Sequence, residues 1–135
     1  ATSALGFEAD RRLRAASVPV ASIVAHPGYS LGGRTRRIAG VSAPSRRKRF
    51  IGGLQAPISQ SKERGAWAPI RALVDPDAEG GQFWGPARTY TGAPTLGKPS
   101  PVTTDPDVGA RMWHYAEHAT RTEWPYLKAS RTRAR

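Results

Sequence analysis

Apolar residues fall into a few short blocks separated by stretches rich in Gly, Pro and Arg. In residues 1–16, Leu5, Ala9 and Leu13 recur at helical spacing, while Asp10, Arg11, Arg12 and Arg14 mostly point elsewhere, so this block predicts a helix. It opens without an N-cap residue, which implies a start further upstream. Ser17 and Val18-Pro19 end it, because the residue before proline is pushed out of helical conformation. Residues 20–25, Val-Ala-Ser-Ile-Val-Ala, form a nearly continuous apolar run that suits a strand covered on both faces of a parallel sheet. Such a strand needs companions, and the remaining candidate is Gln82-Phe83-Trp84, between Gly80-Gly81 and Gly85-Pro86. Residues 26–56 read as mostly loop, with a short helix near Arg46–Gly52. Residues 57–74 predict a second helix, led by Ile58, with Ala66, Trp67, Ile70, Leu73 and Val74 as its apolar stripe and Asp75-Pro76-Asp77 as its stop. Residues 87–103 look irregular. The last helix is the best marked: Asp105 as N-cap, Pro106 at the first helical position, Val108, Met112, Tyr115, Ala116 and Ala119 on one face, and fraying near Thr120–Glu123.

Composition narrows the class. A chain of 135 residues has room for one domain, and 14 Gly with 12 Pro predict long connections. The absence of cysteine removes disulfide and thiolate chemistry. No apolar run approaches the roughly 20 residues of a membrane span, and no signal pattern opens the chain, so a cytoplasmic location is expected. The net charge of +11 raises nucleic acid as a partner. Its excess, however, sits in one loop-like stretch (Arg34, Arg36, Arg37, Arg46, Arg47, Lys48, Arg49) and in the tail (Lys128, Arg131, Arg133, Arg135). Few aromatics stand among those arginines, so no base-stacking platform is visible and nucleic acid is weakly supported.

The order of these elements resembles the end of a short-chain dehydrogenase/reductase, and within that family the retinol-dehydrogenase-like branch. Phe7-Glu8-Ala9-Asp10-Arg11-Arg12-Leu13 is similar to the end of the helix that carries the family's Tyr-x-x-x-Lys, and Ile23-Val24-Ala25-His26-Pro27-Gly28-Tyr29 to its sixth strand and Pro-Gly turn. Gly65-Ala66, Asp75-Pro76 and Gly80-Gly81-Gln82-Phe83-Trp84-Gly85-Pro86 resemble its last helix–strand unit. The resemblance implies an α/β fold, namely the C-terminal portion of a doubly wound, Rossmann-like parallel-sheet domain that is incomplete in this chain. Residues 1–126 would be that portion, 27–60 a loop and substrate-cover insertion, and 127–135 a basic tail. It also implies an NAD or NADP cofactor whose nicotinamide is contacted by Pro27, Gly28, Tyr29 and Ser30. Gly32 stands where the family often has a Thr near the cofactor phosphates. No Gly-rich dinucleotide turn occurs, and no Tyr has a Lys four residues on. The chain would then supply the nicotinamide and substrate side of an oxidoreductase acting on an alcohol/carbonyl pair, without being catalytic alone. Its partners would be a small-molecule substrate and an upstream half, or another chain, that completes the sheet.

Two other readings use the same residues. The first is a truncated, non-catalytic binding or structural protein that uses the basic loop. The second is a serine hydrolase, since Gly28-Tyr29-Ser30-Leu31-Gly32 spells a nucleophile elbow after an apolar strand, and Asp75 or Asp105 followed by His114 or His118 supplies the chain order of a triad. Against it, Arg34-Thr35-Arg36-Arg37 and Gly40 do not read as the packed helix that should follow. His114 and His118 have a spacing that can bind metal, but no third ligand accompanies them in the sequence, and a solvated helix face is the plainer reading. His26 is expected to satisfy loop backbone. The four tryptophans are expected to be core or interface anchors.

Overall fold

The computed structural model describes residues 2–30 and 59–124. The elements are α1 (Thr2–Ala15), β1 (Val24–Ala25), α2 (Lys62–Val74), β2 (Phe83–Pro86), β3 (Pro94–Leu96), α3 (Pro101–Thr104) and α4 (Pro106–Thr120). Among the described residues the fold is mixed α/β, with a small open sheet of three strands in the order β1-β2-β3. The β1 amides of Val24 and His26 donate to the carbonyls of Gln82 and Trp84, both at 3.0 Å. Donor and acceptor advance together along the chain, so β1 and β2 run parallel. β2 and β3 pair antiparallel, with Trp84 opposite Leu96 and Pro86 opposite Pro94. The chain divides into two compact units, one of residues 1–24, 76–83 and 98–135, the other of residues 25–75 and 84–97.

In the first unit α1 packs on α3 and α4. Its buried residues are Ala4, Phe7, Glu8, Asp10 and Leu13. Two of these are acidic, contrary to the sequence pattern, which turned Asp10 away from the core. Each is compensated within the helix: Glu8 pairs with Arg11 at 2.8 Å and Arg12 at 2.6 Å, and Asp10 with Arg14 at 2.6 Å. Arg11 also reaches the Thr104 carbonyl at 3.3 Å. The close approach of α4 is made at Gly109, where a Cβ would meet the Arg11 guanidinium and the Glu8 side chain. The Phe7 ring lies 6.5 Å from that of Phe83, tilted by 43°, adding an aromatic contact to the burial of its ring.

α4 follows its sequence signals closely. Asp105 accepts from the amides of Asp107 at 2.8 Å and Val108 at 3.2 Å, and Arg121, in left-handed conformation, closes the helix. Its packed face is rotated from the expected one, for Tyr115 is 69% exposed while Trp113 is half-buried. Trp113 lies edge-on to Trp124 at 4.9 Å, under the Arg12 guanidinium at 4.8 Å. Those contacts outweigh the symmetry of the apolar stripe.

Three expectations change. The strand over residues 20–25 shrinks to Val24–Ala25, with Val20 57% exposed. Residues 87–103 hold β3 and α3 instead of irregular chain. The second helix begins at Lys62, because Ser61 caps it by accepting from the Arg64 amide at 3.3 Å and Gln60 pairs with Ser30 instead. Its buried face is also the small one, Gly65, Ala68 and Ala72. The larger stripe faces out, with Leu73 85% exposed and Ile70 52%. The short helix expected near Arg46–Gly52, Ile58, the basic loop and the basic tail lie outside the described residues. Among the described residues no helix is long and apolar enough to cross a membrane.

Candidate functional site

At the carboxyl end of β1 the chain turns through His26, Pro27, Gly28, Tyr29 and Ser30. Gly28 has φ 65°, a conformation that side-chain-bearing residues rarely adopt. A Cβ there would also strike the Tyr90 carbonyl oxygen and approach Pro86 Cγ to 2.7 Å. Glycine is therefore required twice over, by backbone angle and by space. His26 Nδ1 accepts from the Gly28 amide at 3.2 Å, and its Nε2 lies against Gly85. His26 thus serves the loop backbone, as its position suggested.

The turn is held by three other segments. Tyr29 donates its amide to the Tyr90 carbonyl at 2.8 Å, in the β2–β3 turn. The Gln60 amide donates to the Tyr29 carbonyl at 2.9 Å, and Gln60 Nε2 to the Pro27 carbonyl at 2.7 Å. Gln60 Oε1 accepts from the Gly92 amide at 3.2 Å. One buried amide side chain therefore ties the Pro-Gly turn to the hairpin turn, and both its oxygen and its nitrogen are satisfied. α2 comes close because residue 65 is glycine: a Cβ there would collide with Ser30 Oγ.

Beside this framework lies an open cavity of about 570 Å³, lined by Ser59, Gln60, Arg64, Ala87, Arg88, Thr91, Gly92 and Ala93. It lies next to the chain that leaves the carboxyl ends of β1 and β2, which is where ligands bind in open α/β sheets. Gln60, Arg64 and Arg88 were not singled out by the sequence. Nothing local marks Gln60, whose partners lie 32 and 33 residues away. Near the same helix start, the Glu63 carboxyl is held below its ordinary value by a backbone amide and then by the Ser61 hydroxyl, with desolvation opposing and the Lys62 charge adding least.

The structure brings Pro27, Gly28, Tyr29 and Ser30 together in one turn; Gly32 lies outside the described residues. Ser30 Oγ donates to the Pro27 carbonyl at 3.0 Å, closing a local turn rather than addressing an imidazole. The other triad candidates have separate duties. Asp75 pairs with Arg71 at 2.8 Å, and Asp105 caps α4. His114 and His118 belong to the unit that does not contain Ser30, where they line an open cavity with Glu117, Arg121, Thr122 and Glu123.

No family model matches the chain, and no curated protein matches it. Among solved structures it is similar to an uncharacterized protein from Mycobacterium Paratuberculosis, with a TM-score of 0.61 and 27% identity over 90% of this chain. The match spans 37% of that protein's length.

Proposed function

We propose that this chain is the nicotinamide- and substrate-side portion of a doubly wound NAD(P)-dependent oxidoreductase of the short-chain dehydrogenase/reductase type, acting on an alcohol/carbonyl pair and not catalytic by itself. The observation that carries the reading is the Pro27-Gly28 turn. It sits at the carboxyl end of β1, parallel to β2, with Gly28 in left-handed conformation and its backbone fixed by Gln60 and Tyr90. A turn without a Cβ, locked at the end of a parallel strand, lets a planar ligand approach the main chain. Two further facts support it. β1 is an edge strand whose outer side has no partner among the described residues, so companions can add there. The solved neighbour is a longer chain, of which this fold accounts for 37%.

In the proposed role Pro27, Gly28, Tyr29 and Ser30 supply backbone and side-chain contacts to the nicotinamide ring and orient the face that exchanges hydride. NAD or NADP would supply the hydride chemistry, and the proton-exchanging pair would come from the part that completes the sheet. The test is saturation-transfer NMR of the chain with NADH and NADPH. Transfer should concentrate on the nicotinamide protons, with amide shifts at Tyr29 and Ser30. Absence of transfer, or transfer confined to the adenine, would overturn the assignment. Labelling of Ser30 by a fluorophosphonate would instead favour the hydrolase.

A further inference from the structure

We infer that the cavity lined by Arg64 and Arg88 is an anion subsite, which takes a carboxylate or phosphate group carried by the small-molecule substrate. The word substrate rests on the function proposed above; the anion site itself does not.

Among the described residues, Arg11, Arg12, Arg14 and Arg71 are each ion-paired to a carboxylate. Arg64 and Arg88 have no such partner among the described residues, and both line one cavity of about 570 Å³. They come from different elements, the first turn of α2 and the β2–β3 turn. Among the described residues no Asp or Glu lines that cavity, while Ser59, Gln60 and Thr91 are polar residues of its lining. Glu63, the acidic group nearest in sequence, is engaged by a backbone amide and the Ser61 hydroxyl. Two guanidinium groups without a carboxylate favour an oxyanion, and their forked donors match carboxylate and phosphate geometry.

The backbone segments that carry the two arginines are tied to one another. Gln60 bonds to Pro27 on one side and to Gly92 on the other, and Gly92 belongs to the turn that carries Arg88. The Arg88 amide donates to the Thr91 carbonyl at 3.0 Å, closing that turn. The Arg64 guanidinium lies 5.9 Å from the Trp67 ring, which restricts its sweep. Gln60 lines the cavity and hydrogen-bonds the Pro27 carbonyl, so under the proposed function a substrate with its anionic group at Arg64 and Arg88 would extend its other end toward Pro27–Ser30. That places the uncharged, reacting end at the proposed nicotinamide contact and assigns the substrate class: a small carbonyl or alcohol compound bearing a carboxylate or phosphate.

The experiment is amide-shift NMR of the whole chain titrated with methyl phosphate, acetate and, as cation control, methylammonium. The phosphate and acetate arms should give saturable shifts centred on Gln60, Arg64, Arg88, Thr91 and Gly92, with none from methylammonium. Arg64→Gln and Arg88→Gln should each weaken binding about ten- to a hundredfold, whereas Arg71→Gln, on the same helix but outside the cavity, should leave it unchanged. Unchanged amide shifts at His26 and Gly85, which belong to the same unit as the cavity but do not line it, show that the fold survives in each variant. Methyl phosphate tighter than acetate names a phosphate ester as the substrate type, and the reverse order names a carboxylate; either supports the subsite. Binding that persists in Arg64→Gln and Arg88→Gln, or shifts centred elsewhere, overturns it. Nicotinamide transfer from NADH without anion binding removes the subsite and keeps the dehydrogenase reading. Anion binding without nicotinamide transfer does the opposite.

Discussion

Gly28 and Glu63 show how single residues set the candidate site. An alanine at position 28 must take left-handed angles, costing about 1–2 kcal/mol, and must also push its Cβ against the Tyr90 carbonyl, which is backbone and cannot swing away. Gly28→Ala is therefore expected to lower stability by about 2 kcal/mol or more in urea unfolding, and a loss under 0.5 kcal/mol would show that the turn relaxes freely. Glu63 gives a pH-dependent effect. Its folded-state pKa lies below the ordinary value because a backbone amide and then Ser61 donate to the charged form. A depressed folded pKa contributes stability that is present above the unfolded value and fades as pH falls through the folded one. NMR titration should place the Glu63 midpoint below that of an exposed glutamate, and Ser61→Ala should move it upward. In Glu63→Gln that share of the acid-side stability loss should disappear.

At the scale of elements, α1 and α2 contain arrangements that invert simple expectations. The Asp10–Arg14 pair is lopsided, with an Asp10 side chain only 7% exposed and an Arg14 side chain 62% exposed. Asp10 also accepts from the Ser22 amide at 3.4 Å, and Gly80 admits its carboxylate where a Cβ would collide. Asp10→Asn leaves a solvated guanidinium and should cost about 1–2 kcal/mol. Arg14→Ala leaves a buried carboxylate without its cation and should cost about 3 kcal/mol or more. Unfolding curves for the two variants decide it, and equal losses would mean that Asp10 is more accessible than it looks. In α2, Pro69 stands inside the helix and cannot donate to the Gly65 carbonyl. Pro69→Ala restores that donor and should stabilise the chain by about 2 kcal/mol after allowing for the freer unfolded state.

These cases also separate what was legible in the sequence from what was not. α4 was readable because its cap and periodicity are local: Asp105, Pro106 and Arg121 act within a turn of their own positions. β3 and α3 were not, because Pro94 and Pro101 resemble loop punctuation, although one sits at a strand end and the other at a helix start, where a missing donor costs little. The buried face of α2 was misjudged because large apolar residues are ordinarily the core signal. Here the close approach of the Ser30 turn leaves no room for a side chain at Gly65. In the candidate site the Pro27–Ser30 turn was legible from its resemblance to a known family, whereas Gln60, Arg64 and Arg88 acquire meaning only from contacts made across long stretches of chain.

For the whole molecule, β1 supports the functional proposal beside the Pro27-Gly28 turn. The run of residues 20–25 reads as a strand meant for burial on both faces, yet Val20 is 57% exposed and only Val24–Ala25 is strand, at the edge of the sheet. Among the described residues no large side chain is wholly enclosed. A strand of central character in an edge position is what a sheet shows when companions are missing, and an unpaired edge is a template for another strand. The hydrogen bonds make this measurable residue by residue. Val24 and His26 direct their amides to β2, at the Gln82 and Trp84 carbonyls. By strand alternation Ile23 and Ala25 direct theirs to the open side. Amide exchange in the isolated chain should therefore be slow at Val24 and His26 and fast at Ile23 and Ala25. On the proposed reading, a part that completes the sheet would slow Ile23 and Ala25 to match their neighbours. Equal protection of all four in the isolated chain would mean that the outer edge of β1 is already covered, and the case for a missing set of strands would lose its physical basis.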